Sequence, residues 1–406
     1  MIKKVSIVTY AAATGPAGEL ANYFADLGMC VVVIRHPLPG YFGSNDVGRT
    51  FVSEVVEVTQ DGETCLARIG IFERLPVLLR LGVHFILSII WLVRYGKRST
   101  IVFGAGNINA VAASAVRSIG LARWAAFYAI DFAPVRFGSF FLDRMYLCVE
   151  WLAVITCDIV WNLSPAMPAA RRERIRLPWI RAAPDLIVPM GTAAFRSDLQ
   201  DILQIRSKKP VIAYMGVLNP NSGVDILIKS LEVIQKKIPT ISCIIIGTGS
   251  KEQDLKNLSN DLLQENSYEF TGFINDHRIV EELLAKAWIG VAPYRDDPSS
   301  FTRFADPGKL KTYLSLALPI IMTNVPAISK NIEVENCGII TDATPQGFAN
   351  AIISLLESAD KRSEMEQNAF RLGETFVWAK IFEKAMRESE HILLISQENK
   401  ARYRRT

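Results

Sequence analysis

The first half of the chain alternates short apolar runs with longer segments of helical spacing. Residues 5–10 read as a strand, Ala11-Ala12-Ala13-Thr14-Gly15-Pro16-Ala17-Gly18 as a small-residue turn, and 19–27 as a helix stopped by Gly28. The runs 30–34, 99–103, 124–130 and 158–163 complete the predicted strands, the second of them preceding the glycine turn Gly104-Ala105-Gly106-Asn107. A polar stretch from Pro189 to about Lys209 leads into a second series. Its strands are predicted at 211–215, 243–246, 268–270, 289–293, 320–322 and 338–341, with helices at 224–236, 251–263, 277–287, 307–318 and 345–359. Apolar strands alternating with helices make a βαβ rhythm, so the expected class is α/β with two doubly wound parallel sheets in tandem. The expected domains are 1–200 and 205–375, with a helix at about 376–396 completing the first.

One segment of the second series carries chemistry as well as structure. In Asp306-Pro307-Gly308-Lys309-Leu310-Lys311-Thr312-Tyr313-Leu314, Asp306 is a good N-cap and Pro307 suits the first helical position. Leu310, Tyr313, Leu314 and Ala317 repeat at helical spacing, Pro319 ends the helix, and Ile320-Ile321-Met322 suits a buried strand. A helix that starts this way points free N–H groups and a positive dipole end outward, with Lys309 beside them: an anion site, and phosphate is the usual anion. An ordinary helix with a solvated lysine reads the same residues as well.

Charge adds a second theme. The net charge is only +4 over 406 residues, but residues 1–200 hold 20 Lys and Arg against 15 Asp and Glu. Residues 74–130 contain no acid and carry Arg74, Arg80, Arg94, Lys97, Arg98, Arg117 and Arg123. Inside that zone lies the apolar run 81–93, shorter than the roughly 20 residues a bilayer crossing needs. It reads either as a core helix or as a helix lying in a membrane interface with Trp91 and the arginines at the headgroups. The cluster Arg171-Arg172-Glu173-Arg174-Ile175-Arg176-Leu177-Pro178-Trp179-Ile180-Arg181 and the tail Lys400-Ala401-Arg402-Tyr403-Arg404-Arg405 repeat the basic and aromatic theme. No nucleic-acid motif accompanies them, which favours an anionic membrane surface over nucleic acid. Met1-Ile2-Lys3-Lys4 leads directly into the first strand, so no signal peptide is expected. The six cysteines have neither metal-ligand nor redox-motif spacing. A cytoplasmic location, peripheral at the inner face of a membrane, is the expectation.

The ordered motifs of the second half are more specific than any one of them. Ile246-Gly247-Thr248-Gly249, then Thr271-Gly272-Phe273, then Val291-Ala292-Pro293-Tyr294, then residues 306–322 resemble the nucleotide-sugar domain of GT-B glycosyltransferases of the family-4 type, the glycosyl transferases group 1. Gly216-Val217-Leu218 with Ser222-Gly223-Val224-Asp225 looks like the opening strand and helix start of that domain, and Phe376-Val377-Trp378 like the start of its closing helix. The resemblance covers roughly 205–390, and its Asp-Pro-x-Lys form is similar to exopolysaccharide and lipid-linked-sugar transferases. It implies two Rossmann-like domains facing across a cleft and a UDP- or GDP-sugar donor. On the donor side it implies Gly216, Thr248 and Gly249 near the phosphates, Gly272 and Phe273 against the base, and Tyr294, Asp306, Lys309 and Tyr313 around sugar and diphosphate. Relatives carry an Arg and a Lys after the first strand of this domain and two Glu separated by seven residues. Here Val217 or Leu218, Ser222, Phe304 and Thr312 stand near those places.

The first domain is expected to serve the acceptor. Thr14, Gly15 and Pro16 would let a substrate approach the backbone closely. Asp131 follows an apolar strand, and a carboxylate there can take a hydroxyl proton, bind sugar hydroxyls, or merely cap the next segment. Arg136 can pair with Asp131 or meet an acidic group. His36 and His84 read as structural, and Arg303 as a possible donor contact in a Ser-rich loop. No Asp-x-Asp stands at a strand end, and Asp296-Asp297 before Pro298 reads as a turn, so neither metal nor cofactor is expected. The expected activity is metal-independent transfer of a sugar from a nucleotide sugar to a lipid-linked or membrane-associated glycan acceptor, in polysaccharide synthesis. A nucleotide-sugar epimerase and an inactive partner protein are the alternatives.

Overall fold

A computed structural model describes residues 4–11, 15–37, 52–70, 75–179, 182–193, 198–297 and 300–403. These fall into two compact units, Met1–Pro189 with Trp378–Thr406, and Met190–Val377. The division lies about ten residues earlier than the polar linker suggests. The reason is local pairing: Thr192 N donates to Phe376 O at 2.8 Å, and Met190 N donates to Asp306 Oδ2 at 2.7 Å. The residues entering the second unit are thus tied to those leaving it.

In the first unit the elements follow as β1 (Lys4–Ala11), α1 (Pro16–Asp26), β2 (Cys30–Pro37), β3 (Val52–Thr59), β4 (Gly62–Gly70), α2 (Val77–Arg94), β5 (Ser99–Ala105), α3 (Asn107–Ser118), β6 (Ala122–Ala129), α4 (Phe140–Thr156), β7 (Ile159–Asn162), α5 (Ala166–Arg174) and β8 (Asp185–Ile187). The sheet order is β4-β3-β2-β1-β5-β6-β7-β8. The order reverses between β1 and β5, which is the position where open α/β sheets bind ligands. The hairpin β3–β4, whose β3 pairs antiparallel with β2, lies outside the expected strand set. Its signal is present, as two alternating runs around Asp61-Gly62, but β4 is almost wholly exposed and reads as polar. Pro16 is not part of an open turn: it is the first residue of α1, where a missing N–H costs nothing. Thr14 lies outside the described residues.

Helix α2 combines the two readings of the apolar run. Its inner face buries His84, Ser88, Trp91 and Leu92, while Leu79, Ile86 and Ile90 point outward and are more than half exposed. The helix departs from an ordinary amphipathic one, with polar groups beside apolar ones on its inner face and aliphatic ones left outside. The inner polar groups are satisfied in part by a small network. His36 Nδ1 meets Ser53 Oγ at 2.9 Å and its Nε2 meets Ser88 Oγ at 2.7 Å, while the His84 ring stacks on His36 at 4.7 Å. Burial pushes His36 down to about 3 and His84 down to about 4, so both are neutral at pH 7 and serve packing. Among the described residues no helix is long and apolar enough to cross a membrane.

The second unit runs α6 (Leu199–Gln204), β9 (Val211–Met215), α7 (Val224–Gln235), β10 (Ser242–Ile246), α8 (Glu252–Leu262), β11 (Tyr268–Gly272), α9 (His277–Ala285), β12 (Ile289–Ala292), α10 (Gly308–Ser315), β13 (Ile320–Met322), α11 (Ser329–Val334), β14 (Gly338–Ile340), α12 (Pro345–Glu357) and α13 (Ala359–Glu374); α14 (Trp378–Tyr403) then returns the chain to the first unit. Its sheet is wholly parallel, ordered β11-β10-β9-β12-β13-β14, and reverses between β9 and β12. Strand alternation sorts its core into two layers. Ile212 and Tyr214 pack with α7 and α12 on one face, and Val211 and Ala213 with α9 and α10 on the other. In the first unit α14 packs on α1 and joins the core through Trp161, whose Nε1 donates to Ser389 Oγ at 2.9 Å.

Candidate active site

The predicted donor residues gather at the carboxyl ends of β9, β10, β11 and β12, around the reversal in strand order. Gly247 is where the strand ends are knitted together. It has φ +132°, its N donates to Gly272 O at 2.9 Å, and a Cβ there would stand 2.1 Å from Gly216 O, so only glycine fits. Gly223 is fixed in the same way: its φ is +69° and a Cβ would lie 1.7 Å from Pro293 O. That packs the start of α7 against the end of β12. Neither glycine was singled out as a site residue, although both lie within the quoted motifs.

Lys309 occupies the centre of this arrangement. Its Nζ lies 4.2 Å from the Tyr214 ring centroid and 4.7 Å from that of Tyr294, and about 3.0 Å from where a Cβ on Gly216 would be. The side chain is half-buried, and no carboxylate joins it among the described residues. Burial pushes its ammonium down to about 7, while the two aromatic faces supply attraction to the charged form. Burial also raises Tyr214 and Tyr294, so both phenols are neutral at pH 7. Tyr214 is a partner that the motif did not disclose, because it lies inside a strand and reads as core.

Two donor expectations are corrected in detail. Asp306 does not cap α10, whose first residue is Gly308 with Pro307 before it, and no side chain caps that helix. The Asp306 carboxylate is instead buried, bonded to Met190 N and paired with the fully buried Lys311, whose Nζ also lies 4.9 Å from the Phe376 ring. Tyr313 is fully buried as well. Its hydroxyl accepts from Met215 N at 2.7 Å and donates to Val291 O at 3.4 Å, so it latches β9 to β12. Tyr294 keeps only its ring face toward Lys309. Thr248 is exposed, with Oγ1 2.5 Å from Glu252 Oε2, and Gly249 follows it. Gly272 ends β11, and Phe273 stands 68% exposed beside it, free to stack. Arg303 is held by Asp296, Nε to Oδ1 at 2.6 Å, which occupies the guanidinium expected near the donor.

In the first unit, Gly15 and Pro16 follow β1 and Asp131 follows β6, each at the carboxyl end of its strand. Asp131 is exposed and receives Arg136 Nη1 at 2.6 Å. The Arg136 loop is shaped by Asp143, whose Oδ1 accepts from the backbone N of Arg136 and of Phe137, both at 2.8 Å. Of the basic cluster expected on a surface, Arg171 is interior: its Nε donates to Glu150 at 2.7 Å and its Nη1 to Asn162 Oδ1 at 2.8 Å. Among the described residues no three His, Cys, Asp or Glu side chains gather as metal ligands.

Two Rossmann-like sheets, one wholly parallel and one parallel apart from the β3–β4 hairpin at its edge, each with its strand order reversing in the interior of the sheet, make up the GT-B fold. Residues 195–372 match the family described as Glycosyl transferases group 1. A Haemophilus influenzae protein described as an uncharacterized glycosyltransferase is 30% identical over 129 residues, 31% of this chain and 33% of its own length. The chain thus spans about a third of that curated relative. Sucrose-phosphate synthase from Thermosynechococcus elongatus has the same fold at a TM-score of 0.69 and 16% identity, with 100% of both chains covered. Anabaena Alr3699/HepE, solved with UDP, gives 0.66 at 15% identity over 96% of this chain and 100% of its own. WaaG, a glycosyltransferase involved in lipopolysaccharide biosynthesis, gives 0.65 at 15% identity over 96% and 99%.

Proposed function

We propose that this protein is a glycosyltransferase that takes a sugar from a nucleotide sugar, UDP-linked in the first instance, and gives it to a lipid-linked or membrane-associated glycan acceptor. The observation that carries the reading is Lys309, an ammonium with no carboxylate partner among the described residues, between two tyrosine rings and set among glycine-built strand ends in the segment that matches glycosyl transferases group 1. Glycosyl transfer breaks the bond between the anomeric carbon and the diphosphate, so charge grows on the leaving phosphate. A fixed ammonium beside an uncapped helix start can stabilise that charge without a metal. Gly272 and Phe273 offer an exposed aromatic shelf for the base. On the acceptor side Asp131, oriented by Arg136, supplies the carboxylate that an inverting reaction needs as base or a retaining one needs for binding.

The membrane part of the proposal rests on α2. Leu79, Ile86 and Ile90 face outward on the helix that carries Arg80 and Arg94, with Lys97 and Arg98 just beyond, and such a face suits the boundary of an anionic bilayer at the inner surface of the membrane. Thermal melting with UDP, GDP and their sugars tests the catalytic part. Near-saturating UDP is expected to raise the melting temperature by several degrees, since a hundredfold excess over Kd adds about 2.7 kcal/mol. A melting curve that no nucleotide moves would overturn the proposal.

A further inference from the structure

The loop after β6, the first turns of α4 and the end of α5 line an open cavity of about 520 Å³ within the first unit. Its lining is mixed in chemistry. Val135, Phe140 and Leu147 supply apolar surface, and Arg144, Arg174 and Arg176 supply cationic groups. Phe140 is 81% exposed and its neighbour Phe141 68%, which is unusual for residues of that size on a helix with its own core face. The two carboxylates that line the cavity do not neutralise it. Asp143 is spent on two backbone N–H groups, and Glu173 reaches only Arg174, at 3.9 Å. Arg144 lies 5.5 Å from the Phe140 ring, and neither it nor Arg176 has a carboxylate partner among the described residues. The cavity begins at Pro134, three residues beyond Asp131, and the Arg136 that orients Asp131 belongs to the same loop.

We infer that this cavity seats the acceptor lipid: one molecule of a long-chain lipid phosphate or diphosphate, with its phosphate on Arg144 and Arg176 and its hydrocarbon along Val135, Phe140 and Leu147. The inference rests on the proposed glycosyl transfer for the word acceptor and on the cavity alone for the ligand. The charge selects a phosphate ester over a neutral glycan. The apolar surface selects a phosphate that carries hydrocarbon over a free anion, because an aromatic as exposed as Phe140 gains most by burial under a chain.

The test is calorimetric binding to the full chain, with farnesyl diphosphate as a short soluble probe and with farnesol and inorganic diphosphate as its two halves. Farnesyl diphosphate is expected to bind at least about tenfold more tightly than either half. Arg144→Ala with Arg176→Ala, and separately Phe140→Ser, are each expected to weaken it about tenfold, the scale of one charge-assisted hydrogen bond or one buried aromatic face. These side chains are exposed, so the variants should keep the wild-type melting temperature. Inorganic diphosphate binding as well as the full probe would reduce the site to an anion patch and overturn the inference. So would unchanged farnesyl diphosphate binding in the variants with loss of partitioning onto phosphatidylglycerol vesicles, which would make the face a general membrane contact. Nucleotide binding is read in the second unit. A variant that loses the lipid but still responds to UDP separates this site from the donor site, and a chain that binds the lipid but no nucleotide keeps this site while losing the transferase reading.

Discussion

Asp306→Ala is expected to destabilise the second unit by about 3–5 kcal/mol, the cost of leaving one partner of a buried ion pair alone. Lys311 is fully buried, and its stabilisation comes from the Asp306 carboxylate and the Phe376 ring. Burial pulls the Lys311 ammonium down and Asp306 holds it up. Without Asp306 the folded chain favours the neutral amine while the unfolded chain stays protonated up to its ordinary value near 10.4. The unfolded state then binds more protons, so the stability of this variant should rise with pH from neutrality toward about 10. Asp306→Ala combined with Lys311→Met removes both charges and should recover most of the loss, to within about 1–2 kcal/mol of wild type. Urea unfolding at pH 7 and 9 checks both statements. A single variant that loses under about 1 kcal/mol, or a double variant as unstable as the sum of its parts, would refute this account of the pair.

Lys309→Met is expected to weaken UDP binding about 30- to 100-fold, equivalent to about 2–3 kcal/mol for the lost charged contact to a diphosphate. The pH dependence makes the test specific. Burial pushes Lys309 down to about 7 in the free protein, and a bound diphosphate favours the charged form and raises that value. Affinity should therefore be full below pH 7. It should decline above pH 7, by at most about tenfold per pH unit, until the higher value of the bound state is passed. The neighbouring phenols stay neutral over that range because burial raises them. In Lys309→Met the decline should vanish. Titration of UDP from pH 6 to 9 decides it; equal affinity and an equal pH profile in the variant would remove Lys309 from the donor site.

The two expectations concern lysines two residues apart on one short helix, and the sequence did not distinguish their roles. The motif around Lys309 was legible because glycine turns and the Asp-Pro-x-Lys run depend on local backbone geometry. Whether a side chain at 306, 309, 311 or 313 reaches solvent depends on which face of α10 meets the sheet and on the segment from Met190 that covers it, more than a hundred residues away in the chain. The same holds in the first unit. The apolar run of α2 was evident, but the split between His84 inside and Ile86 outside came from packing on β2 and α3. The α4 cavity was invisible, because its wall joins residues 134–147 to residues 173–176.

What the chain order alone determined was the strand–helix alternation, the parallel strands of both sheets apart from the β3–β4 hairpin, and the glycine-rich strand ends, since periodicity and turn chemistry act over a few residues. Tertiary structure decided which charged groups are spent and which remain available. Asp306, Lys311, Arg171 and Arg303 are paired, while Lys309, Arg144 and Arg176 have no carboxylate partner among the described residues. That decision turns on which side chains the packed fold covers and brings within reach of one another, and burial sets the cost of any charge left unpaired.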